Sequence, residues 1–412
     1  MNLKQKIIYF LKWSERYTGT DMVYVAKGGF WWIFGRLCVI LISLATMTAF
    51  AHWLPKEVYG GYRYILSIVT ILSIFALPGI DTALIRAVAR GFERMLFLCA
   101  KTKFKWALIG SGISLGISGW YFFHQNFILG ISFLIAAVFL PFITTFNIFL
   151  AFWQGKKKFD VQSKYLILMN LLAALVLIPV IFLTNNLILI IFAFFLSQTF
   201  FKAIFFGLTA KEAKRKETEK ETLSYGKHLT LMQSATIFGN QIDKVIIWQF
   251  LGPVSVAIYS FAQLPILRLQ ELIPISPLAI PKLSEKEIKK IKGALLKKFF
   301  KIFLVSVPLG AFLILISPLI YKILFPQYLE SIPYFRVLSL TLILAPFSLL
   351  GASLVAEMKK RELYIIQFAP PFLQIILFLA LIPFYQIWGI IFAILISRIF
   401  GSSLTFYFFK KI

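Results

Sequence analysis

The sequence has little of what a water-soluble protein or a metalloenzyme needs. Only 15% of its residues are charged and only 17 are Asp or Glu, whereas 59% are hydrophobic. Globular domains have about 25% charged and 45–50% apolar residues, so a water-soluble fold is excluded. Two cysteines without a CxxC motif and three histidines support neither a disulfide framework nor a zinc site. We therefore expect no metal and no cofactor.

The abundant charge is positive, since 43 Lys and Arg residues give a formal net charge of +26. In a soluble protein this excess would suggest nucleic-acid binding, but here the cations lie between apolar stretches, so we expect no nucleic-acid partner. Residues 1–27 contain Ile7, Ile8 and Phe10 among lysines, and the first part of this segment has no small-residue cleavage site. The pattern predicts an amphipathic helix at the membrane surface rather than a signal peptide.

Twelve stretches are long and apolar enough to cross a bilayer, which takes about 20 residues. They predict an all-α polytopic membrane protein with twelve transmembrane helices, called spans one to twelve. The eighth is interrupted by three prolines. The predicted spans are Gly28 to Phe50, Tyr62 to Ile80, Phe104 to Phe123, Phe127 to Trp153, Tyr165 to Leu183, Leu187 to Thr209, His228 to Phe250, Val254 to Ile280, Phe299 to Leu324, Pro333 to Ala356, Leu363 to Tyr385 and Ile387 to Phe409.

The connections between these spans alternate in charge. Most of the cations lie in every second connection and at the chain termini. In the connections that alternate with these, Lys56 is the one clear cation. The positive-inside rule then places both termini in the cytoplasm, for a multi-pass protein of a prokaryotic plasma (inner) membrane. The outer connections are short, the longest running from about Ala51 to Gly61. They leave no room for an extracytoplasmic catalytic domain, and we expect no enzymatic activity.

The spans divide into two halves of six, residues 28–209 and residues 228–412, joined by a charged cytoplasmic linker at residues 210–227. Sliding one half over the other places Leu54 on Leu251 and Tyr62 on Tyr259. The halves also share span count and orientation, which is typical of a parallel repeat. We therefore expect two pseudo-symmetric six-helix bundles around a central cavity.

Eight basic residues lie within or at the edge of spans, where a cation at the helix centre costs about 2.5–3.5 kcal/mol. Those near a membrane surface are explained equally well by snorkelling. The deeper ones predict a cavity, with a purely structural ion pair as the alternative. They are Arg63, Lys322 and Arg336 near the outer ends, Lys202 near the cytoplasmic side, and Arg36, Lys244, Arg268 and Arg398 at greater depth.

Three spans carry polar residues on one helix face, because residues three and four apart are neighbours on a helix. Such a face indicates either a water-filled cavity or hydrogen bonds between helices. In span eight Arg268 and Glu271 are such neighbours and either face the cavity or neutralise each other. The remaining sets are Gln233, Thr236, Asn240, Asp243 and Lys244 in span seven, and Trp32, Arg36 and Ser43 in span one, which would oppose span seven.

The sign of the charge inside the spans indicates what the cavity carries. Cations outnumber Asp243, Glu271 and the interfacial Glu330 by five. An anionic ligand therefore fits best, and a cavity for cationic drugs would show the opposite balance.

Span three contains a run of glycines that superficially resembles a phosphate-binding loop. It lacks the GK[ST] ending and lies within apolar sequence, so we expect close helix packing instead. The glycines are Gly110, Gly112, Gly116 and Gly119.

Short motifs distributed along the chain resemble the signature of a transporter family. The motifs are Leu54 to Tyr62, Leu77 to Ala83 with Arg86, Gln241 to Lys244, Leu251 to Pro253, Ile258 to Ser260, Pro281 to Ser284, and Phe325 to Tyr328 with Pro333. From about residue 27 onward the chain resembles polysaccharide flippases of the Wzx type, in the MOP/MATE-like transporter superfamily. That superfamily also contains drug/cation antiporters and lipid II flippases, and the latter usually have two further helices.

The resemblance implies two bundles that alternate between inward-open and outward-open states. They would carry a polyprenyl-pyrophosphate-linked oligosaccharide to the outer leaflet for a cell-surface polysaccharide such as O-antigen, among membrane lipids and with a polysaccharide polymerase and glycosyltransferases as further partners. Asp243 and Glu271 would couple transport to a cation gradient or hold ion pairs. The residues expected to bind the anionic headgroup are Arg36, Lys202, Lys244, Arg268, Arg398, Asn240 and Gln233.

Three other functions compete with this one. A multidrug or small-metabolite cation-coupled antiporter fits the twelve spans but not the cationic interior. A membrane glycosyltransferase or polymerase acting on the same lipid carrier needs a catalytic loop, for which the outer connections are too short. A scaffold that recruits glycosyltransferases through the basic loops would leave the cations inside the spans unexplained.

The orientation predicts the labelling of single cysteines by an impermeant thiol reagent. Cysteines placed at Lys56 and Gln327 should react from outside the cell, whereas cysteines at Lys157 and Lys216 should not, because only the first two lie in outer connections. Reversed labelling would overturn the orientation and the direction of transport that follows from it.

Overall fold

The computed structural model describes residues 22–213, 218–219, 221–271, 283, 288–357 and 359–411. Within these ranges the chain forms helices joined by short connections and contains no β-strand. Residues 1–21 of the predicted interfacial segment and residues 272–280 of predicted span eight lie outside the described residues. So do residues 214–217 of the linker and all of the Pro281 to Ser284 motif except Leu283.

The N-terminal half contains spans one to six. Span two ends at Leu77, which has a φ of 56°, and a separate short helix follows it. Span four is interrupted at Asn147 and Ile148, between two helices. The helices are Met22–Trp53, Lys56–Leu72 continued by the 3₁₀ turn Ser73–Ala76, Gly79–Ala89, Met95–Phe123, Phe127–Phe146, Phe149–Gly155, Phe159–Leu183 and Leu187–Glu212.

The C-terminal half contains spans seven to twelve. Two positive φ angles mark kinks between consecutive spans, at Gly252 (78°) between spans seven and eight and at Gln386 (50°) between spans eleven and twelve. Span seven is itself broken at Asn240 and Gln241. The helices are Glu221–Gly239, Ile242–Glu271, Ile288–Leu324, the 3₁₀ helix Pro326–Ser331, Ile332–Ser339, the 3₁₀ helix Leu340–Leu344, Phe347–Ala356 and Lys360–Lys410.

The helices account for the predicted number of spans. Among the described residues, eight helical segments are long and apolar enough to cross a membrane, and the bent pair Pro326–Leu344 and Phe347–Ala356 makes nine. Two of the eight, Glu221–Glu271 and Arg361–Lys410, each hold two predicted spans separated by a kink. Helix Met95–Phe123, diluted by its glycines and serines, adds span three. The described residues thus contain twelve spans, as predicted.

Serines rather than glycines join span three to span four. Ser114 and Ser118 donate hydrogen bonds to the carbonyl oxygens of Phe133 (2.9 Å) and Gly130 (2.7 Å), and Ser111 donates to Ala137. The prediction that the glycines of span three serve close packing holds at Gly110, where an added Cβ would lie 2.7 Å from a carbonyl oxygen. It is wrong at Gly112, Gly116 and Gly119, where an added Cβ would meet nothing within 4 Å.

The two halves contact each other near Lys56, and we call this end of the molecule the Lys56 end and the opposite one, near Lys157, the Lys157 end. Lys56 Nζ lies 2.9 Å from Glu330 Oε1, and Gln327 donates a hydrogen bond to the carbonyl oxygen of His52 at 3.1 Å. Both contacts join the first connection of the chain to the 3₁₀ helix Pro326–Ser331, which precedes span ten. The two positions that should be labelled from outside therefore lie at the same end.

Span two and the helix after it pack against the C-terminal half at two points where a side chain would not fit. An added Cβ at Gly60 would lie 1.9 Å from the carbonyl oxygen of Pro253, at the start of span eight. An added Cβ at Gly79 would lie 2.3 Å from the backbone nitrogen of Thr230 in span seven, whose hydroxyl accepts a hydrogen bond from Gly79 N at 3.0 Å. Backbone thus touches backbone across the interface between the halves.

Aromatic side chains fill the space beside the Gly60 contact. The rings of Phe261 and Tyr328 stack with centroids 3.7 Å apart, and the Tyr59 ring lies 4.8 Å from Phe261. All three side chains are almost completely buried. Tyr59 belongs to the N-terminal half and the other two to the C-terminal half, so this aromatic cluster closes the interface at the Lys56 end.

The Gly60 contact predicts a large difference between two Gly→Ala substitutions. Gly60→Ala should destabilise the protein by about 1–3 kcal/mol, because the new methyl group overlaps the Pro253 carbonyl. Gly112→Ala, at a helical position with open space around it, should be neutral or stabilising by up to about 1 kcal/mol. Thermal unfolding of the purified proteins in detergent measures both. Equal melting temperatures for Gly60→Ala and Gly112→Ala would contradict the close approach.

Candidate functional site

A cavity of about 480 Å³ lies between the two halves, on the Lys157 side of the aromatic cluster, and we call it the central cavity. Residues of spans two, three, four and six line it from one side and residues of spans seven and eight from the other. Five of its lining residues are cationic and two are acidic. They are Arg63, Lys103, Lys202, Lys244 and Arg268, with Asp81 and Glu271.

One group of charges lies at the Lys157 end of this cavity. Lys103, at the start of span three, is 3% exposed, and its Nζ lies 2.6 Å from Asp81 Oδ1. Lys202 of span six interacts electrostatically with both. Lys202, one of the residues expected to bind the headgroup, lines the cavity, and so does Lys103, which the alternation of charge places in a solvated connection. The buried positions Cys99, Lys103, Ala107 and Gly110 follow helical spacing, and this signal was available in the sequence.

A second group joins the two halves through Glu271. Its Oε1 lies 2.9 Å from Arg268 Nη1 in the same helix, and its Oε2 lies 3.5 Å from Arg36 Nη1 in span one. The Arg36 guanidinium also lies 5.4 Å from the ring centroid of Trp32. Arg268 and Glu271 therefore neutralise each other and line the cavity at the same time. Arg36 takes Glu271 as its partner and not Asp243, the residue of span seven it was expected to oppose.

Two arginines in the cavity wall have donors without an acceptor. Arg63 Nε and Arg268 Nε are both buried and have no hydrogen-bond partner among the described residues. A buried unsatisfied donor costs about 1–3 kcal/mol, and more when it is charged. Both arginines line the central cavity, one from each half. The wall of the central cavity therefore contains two arginines that each keep one donor without an acceptor among the described residues.

Asp243 is enclosed in a hydrogen-bond network at the middle of span seven. Its Oδ1 accepts from the backbone nitrogen of Lys244 (2.8 Å) and from Lys244 Nζ (3.0 Å). Its Oδ2 accepts from the hydroxyl of Tyr259 (2.5 Å) and from Nε2 of Gln263 (2.9 Å). Asp243 and Lys244 are each 1% exposed. The four acceptor positions of a carboxylate are thus all occupied, so this geometry is that of a counter-ion to Lys244.

Arg398 and Asn240 belong to a different space from the other predicted site residues. They line a second cavity of about 510 Å³ enclosed by spans seven, eight, ten, eleven and twelve, which we call the C-terminal cavity. Arg398 lies within electrostatic reach of Asp243 from that side. The predicted headgroup site is therefore divided between two cavities.

The remaining predicted residues lie outside both cavities. Gln233 lines neither of them. Lys322 and Arg336 have exposed side chains, and Arg336 Nε donates to the hydroxyl of Ser317 at 3.1 Å. These two positions agree with snorkelling at the Lys56 end, whereas Arg63, for which snorkelling was an equal alternative, lines the central cavity.

Comparison with known proteins identifies the family. Residues 25–285, more than half of the chain, match the family described as polysaccharide biosynthesis protein. The chain belongs to the polysaccharide biosynthesis protein family. This confirms the resemblance found in the sequence motifs. No curated protein matches the chain significantly.

Solved structures show the fold of this family member. A lipid II flippase, MurJ, in an inward closed conformation is 16% identical with a TM-score of 0.69, covering 93% of this chain and 87% of that one. An inward-facing multidrug resistance MATE transporter is 16% identical with a TM-score of 0.67 (92% and 97%). A MOP superfamily transporter from Pyrococcus furiosus, described by its reversed binding-pocket polarity, is 13% identical with a TM-score of 0.60 (94% and 95%).

These likenesses confirm the predicted fold class. The chain is a multi-span membrane protein with twelve helices in two six-helix bundles around a central cavity, the fold of the MOP superfamily transporters to which it is similar. Membership of the family links the chain to polysaccharide biosynthesis, and its fold is the one seen in the lipid II flippase and the MATE transporter.

The network around Asp243 predicts that this residue is needed for folding stability. Asp243→Asn should lower stability by about 3–5 kcal/mol, because it leaves the Lys244 ammonium buried without a counter-ion. The double variant Asp243→Asn with Lys244→Met should recover much of this loss. Glu330→Gln, which breaks the exposed pair with Lys56, should cost about 1 kcal/mol or less. Thermal unfolding in detergent measures all three.

The alternative role as the coupling residue predicts another pattern. Asp243→Asn would then fold with unchanged stability and lose the dependence of transport on a cation gradient in reconstituted vesicles. Normal stability of Asp243→Asn would contradict the counter-ion assignment.

Proposed function

We propose that the protein flips polyprenyl-diphosphate-linked oligosaccharide from the cytoplasmic to the outer leaflet of a prokaryotic plasma membrane by alternating access. The diphosphate binds in the central cavity, and the polyprenyl tail remains in the lipid. The Lys157 end faces the cytoplasm, in line with the alternation of charge along the chain.

The observation that carries this proposal is a pair of arginines, each with one unsatisfied N–H, in a cavity with a surplus of cations. Arg63 Nε and Arg268 Nε have no acceptor among the described residues. Five cations and two carboxylates line the cavity, and of the cations Lys244 is paired with Asp243. A diphosphate offers many acceptor oxygens and negative charge, and arginine binds such groups with paired, charge-assisted hydrogen bonds. A charged headgroup loses its hydration water on entering the membrane, and this loss is the main cost of its passage. Hydrogen bonds to the arginines of the cavity replace those to the lost water.

Glu271 acts as a competitor for the same arginines in this proposal. It occupies Arg268 Nη1 and Arg36 Nη1 when no substrate is bound. A diphosphate carries more charge than one carboxylate and displaces it from Arg268. Because Arg36 belongs to span one and Arg268 to span eight, the exchange changes a contact between the two halves.

A drug or cation antiporter, the main alternative, is disfavoured by the same charges. The described residues of the central cavity have more cations than acids, which repels a cationic drug. The MATE transporters among the similar structures share the fold at 16% identity or less, and the fold alone carries no substrate preference.

The proposal predicts that the purified protein binds farnesyl diphosphate, a short polyprenyl diphosphate without a sugar. Arg268→Gln should weaken this binding about tenfold or more, because it removes a charge-assisted hydrogen bond worth about 1.5–3 kcal/mol. Arg268→Lys should retain more of it. Isothermal titration in detergent and export of the native glycan by cells provide the two readouts.

Lys322→Gln is the matched control, since it removes a cation that lines neither cavity. It should bind and export like the unchanged protein. Absence of farnesyl diphosphate binding to the unchanged protein, or equal binding to Arg268→Gln, would overturn the proposal.

A further inference from the structure

The C-terminal cavity differs in chemistry from the central cavity although the two are similar in size. Ten of its lining residues carry a hydroxyl or a carboxamide, and Arg398 is the one charged residue among the described residues that line it. The central cavity has seven charged residues. A cavity of about 510 Å³ falls in the range of about 300–1,000 Å³ typical of small-molecule sites.

Its polar groups are held by the protein and still have capacity to bind. Gln374 donates to the carbonyl oxygen of Gly239 at 3.3 Å, and its Oε1 accepts from the hydroxyl of Ser397 at 3.2 Å. Gln367 Oε1 is buried and has no hydrogen-bond partner among the described residues. A carboxamide oxygen with two free lone pairs in a cavity accepts hydrogen bonds from a ligand hydroxyl.

The two cavities meet at two pairs of consecutive residues. Asn240 lines the C-terminal cavity and Gln241 the central one, at the break in span seven. Gln270 lines the C-terminal cavity and Glu271 the central one, at the end of span eight. Consecutive Cα atoms lie 3.80 Å apart, so the two spaces adjoin each other at both places.

We propose that the C-terminal cavity binds the sugar portion of the substrate, next to the diphosphate in the central cavity. The inference rests on the proposed function and adds to it a division of labour between the two cavities. In a lipid-linked glycan the first sugar is bonded directly to the diphosphate, so its two binding sites must be neighbours. Sugar hydroxyls both donate and accept, which matches a lining of carboxamides and hydroxyls.

Other occupants fit this lining less well. A coupling cation needs oxygen ligands with negative charge, whereas none of the described lining residues is acidic and Arg398 repels a cation. A lipid tail is apolar and makes no hydrogen bond with the hydroxyl, carboxamide and guanidinium groups of the lining. Arg398 further indicates that the site accepts an acidic sugar as well as a neutral one.

The test fills the C-terminal cavity with a large side chain and leaves the lining of the central cavity unchanged. Ser402 lines the C-terminal cavity, whereas its neighbour Ser403 is exposed and lies outside it. Ser402→Trp should reduce export of the native glycan at least about tenfold while farnesyl diphosphate still binds as it does to the unchanged protein. Ser403→Trp should export normally. A Ser402→Trp protein that is present at the normal level and exports normally would overturn the inference.

A second variant applies if Ser402→Trp does not accumulate. Gln367→Leu keeps the volume of the side chain and removes the unpartnered acceptor, and it should reduce export about tenfold with diphosphate binding unchanged. Normal export by Gln367→Leu would then overturn the inference.

The two proposals fail differently in these experiments. Absence of farnesyl diphosphate binding to the unchanged protein counts against the proposed function itself. Intact diphosphate binding with normal export by the cavity variants counts against the sugar site alone.

Discussion

A positive charge inside a membrane protein must be matched by an acceptor, because hydrocarbon offers none, and the central cavity is organised around this requirement. Lys103 has Asp81, Lys244 has Asp243, and Arg268 shares Glu271 with Arg36. The Lys103 pair joins span three to the helix Gly79–Ala89, the Glu271 pairs join span eight to span one, and Asp243 accepts hydrogen bonds from Tyr259 and Gln263 of span eight. The described acids that line the cavity are fewer than the cations, and Arg63 and Arg268 each keep one buried donor without an acceptor among the described residues.

The ion pairs of Asp243 and of Glu271 differ in whether a ligand can replace them. Asp243 and Lys244 are adjacent, buried and fully hydrogen-bonded, so their arrangement does not depend on whether the halves are together. Glu271 joins both halves and is partly exposed, at 33%. A partly exposed pair across an interface is the kind of interaction that a ligand can replace. Asp243 and Lys244 thus form a fixed ion pair in span seven, whereas Glu271 of span eight is a partner that Arg36 and Arg268 can exchange.

Much of the fold follows from hydrophobic length, which a sequence displays directly. Twelve apolar stretches and their alternating charges predicted the spans, and Gly252 and Gln386 lie where two of the predicted boundaries fall. The requirement for about 20 apolar residues in a row also explains why two charged residues of the cavity are missing from the prediction. Span three is longer than its apolar part, so the sequence places Lys103 in a solvated connection. The short helix that carries Asp81 is too short to be predicted as a span, and both residues line the cavity.

The positive charge of the site was predictable from the sequence, but the division of its residues between two cavities was not. Helical spacing indicates that Asn240 and Lys244 share a face, yet the break at Asn240 and Gln241 turns successive residues toward different cavities. Partner choice across the halves also lies beyond a sequence pattern, because it depends on how two helices approach. Arg36 therefore pairs with Glu271 of span eight and not with span seven.

The approach of Gly60 to Pro253 bears on how fast the protein can work. No side chain of Gly60 interlocks with span eight, so the surfaces there meet as smooth backbone. Such surfaces can slide or separate without any rotamer having to change first, and the contact they lose is dispersion alone. Separation of the halves at this contact therefore breaks the packing of the Tyr59 ring against Phe261, but it breaks no side-chain packing of Gly60 itself.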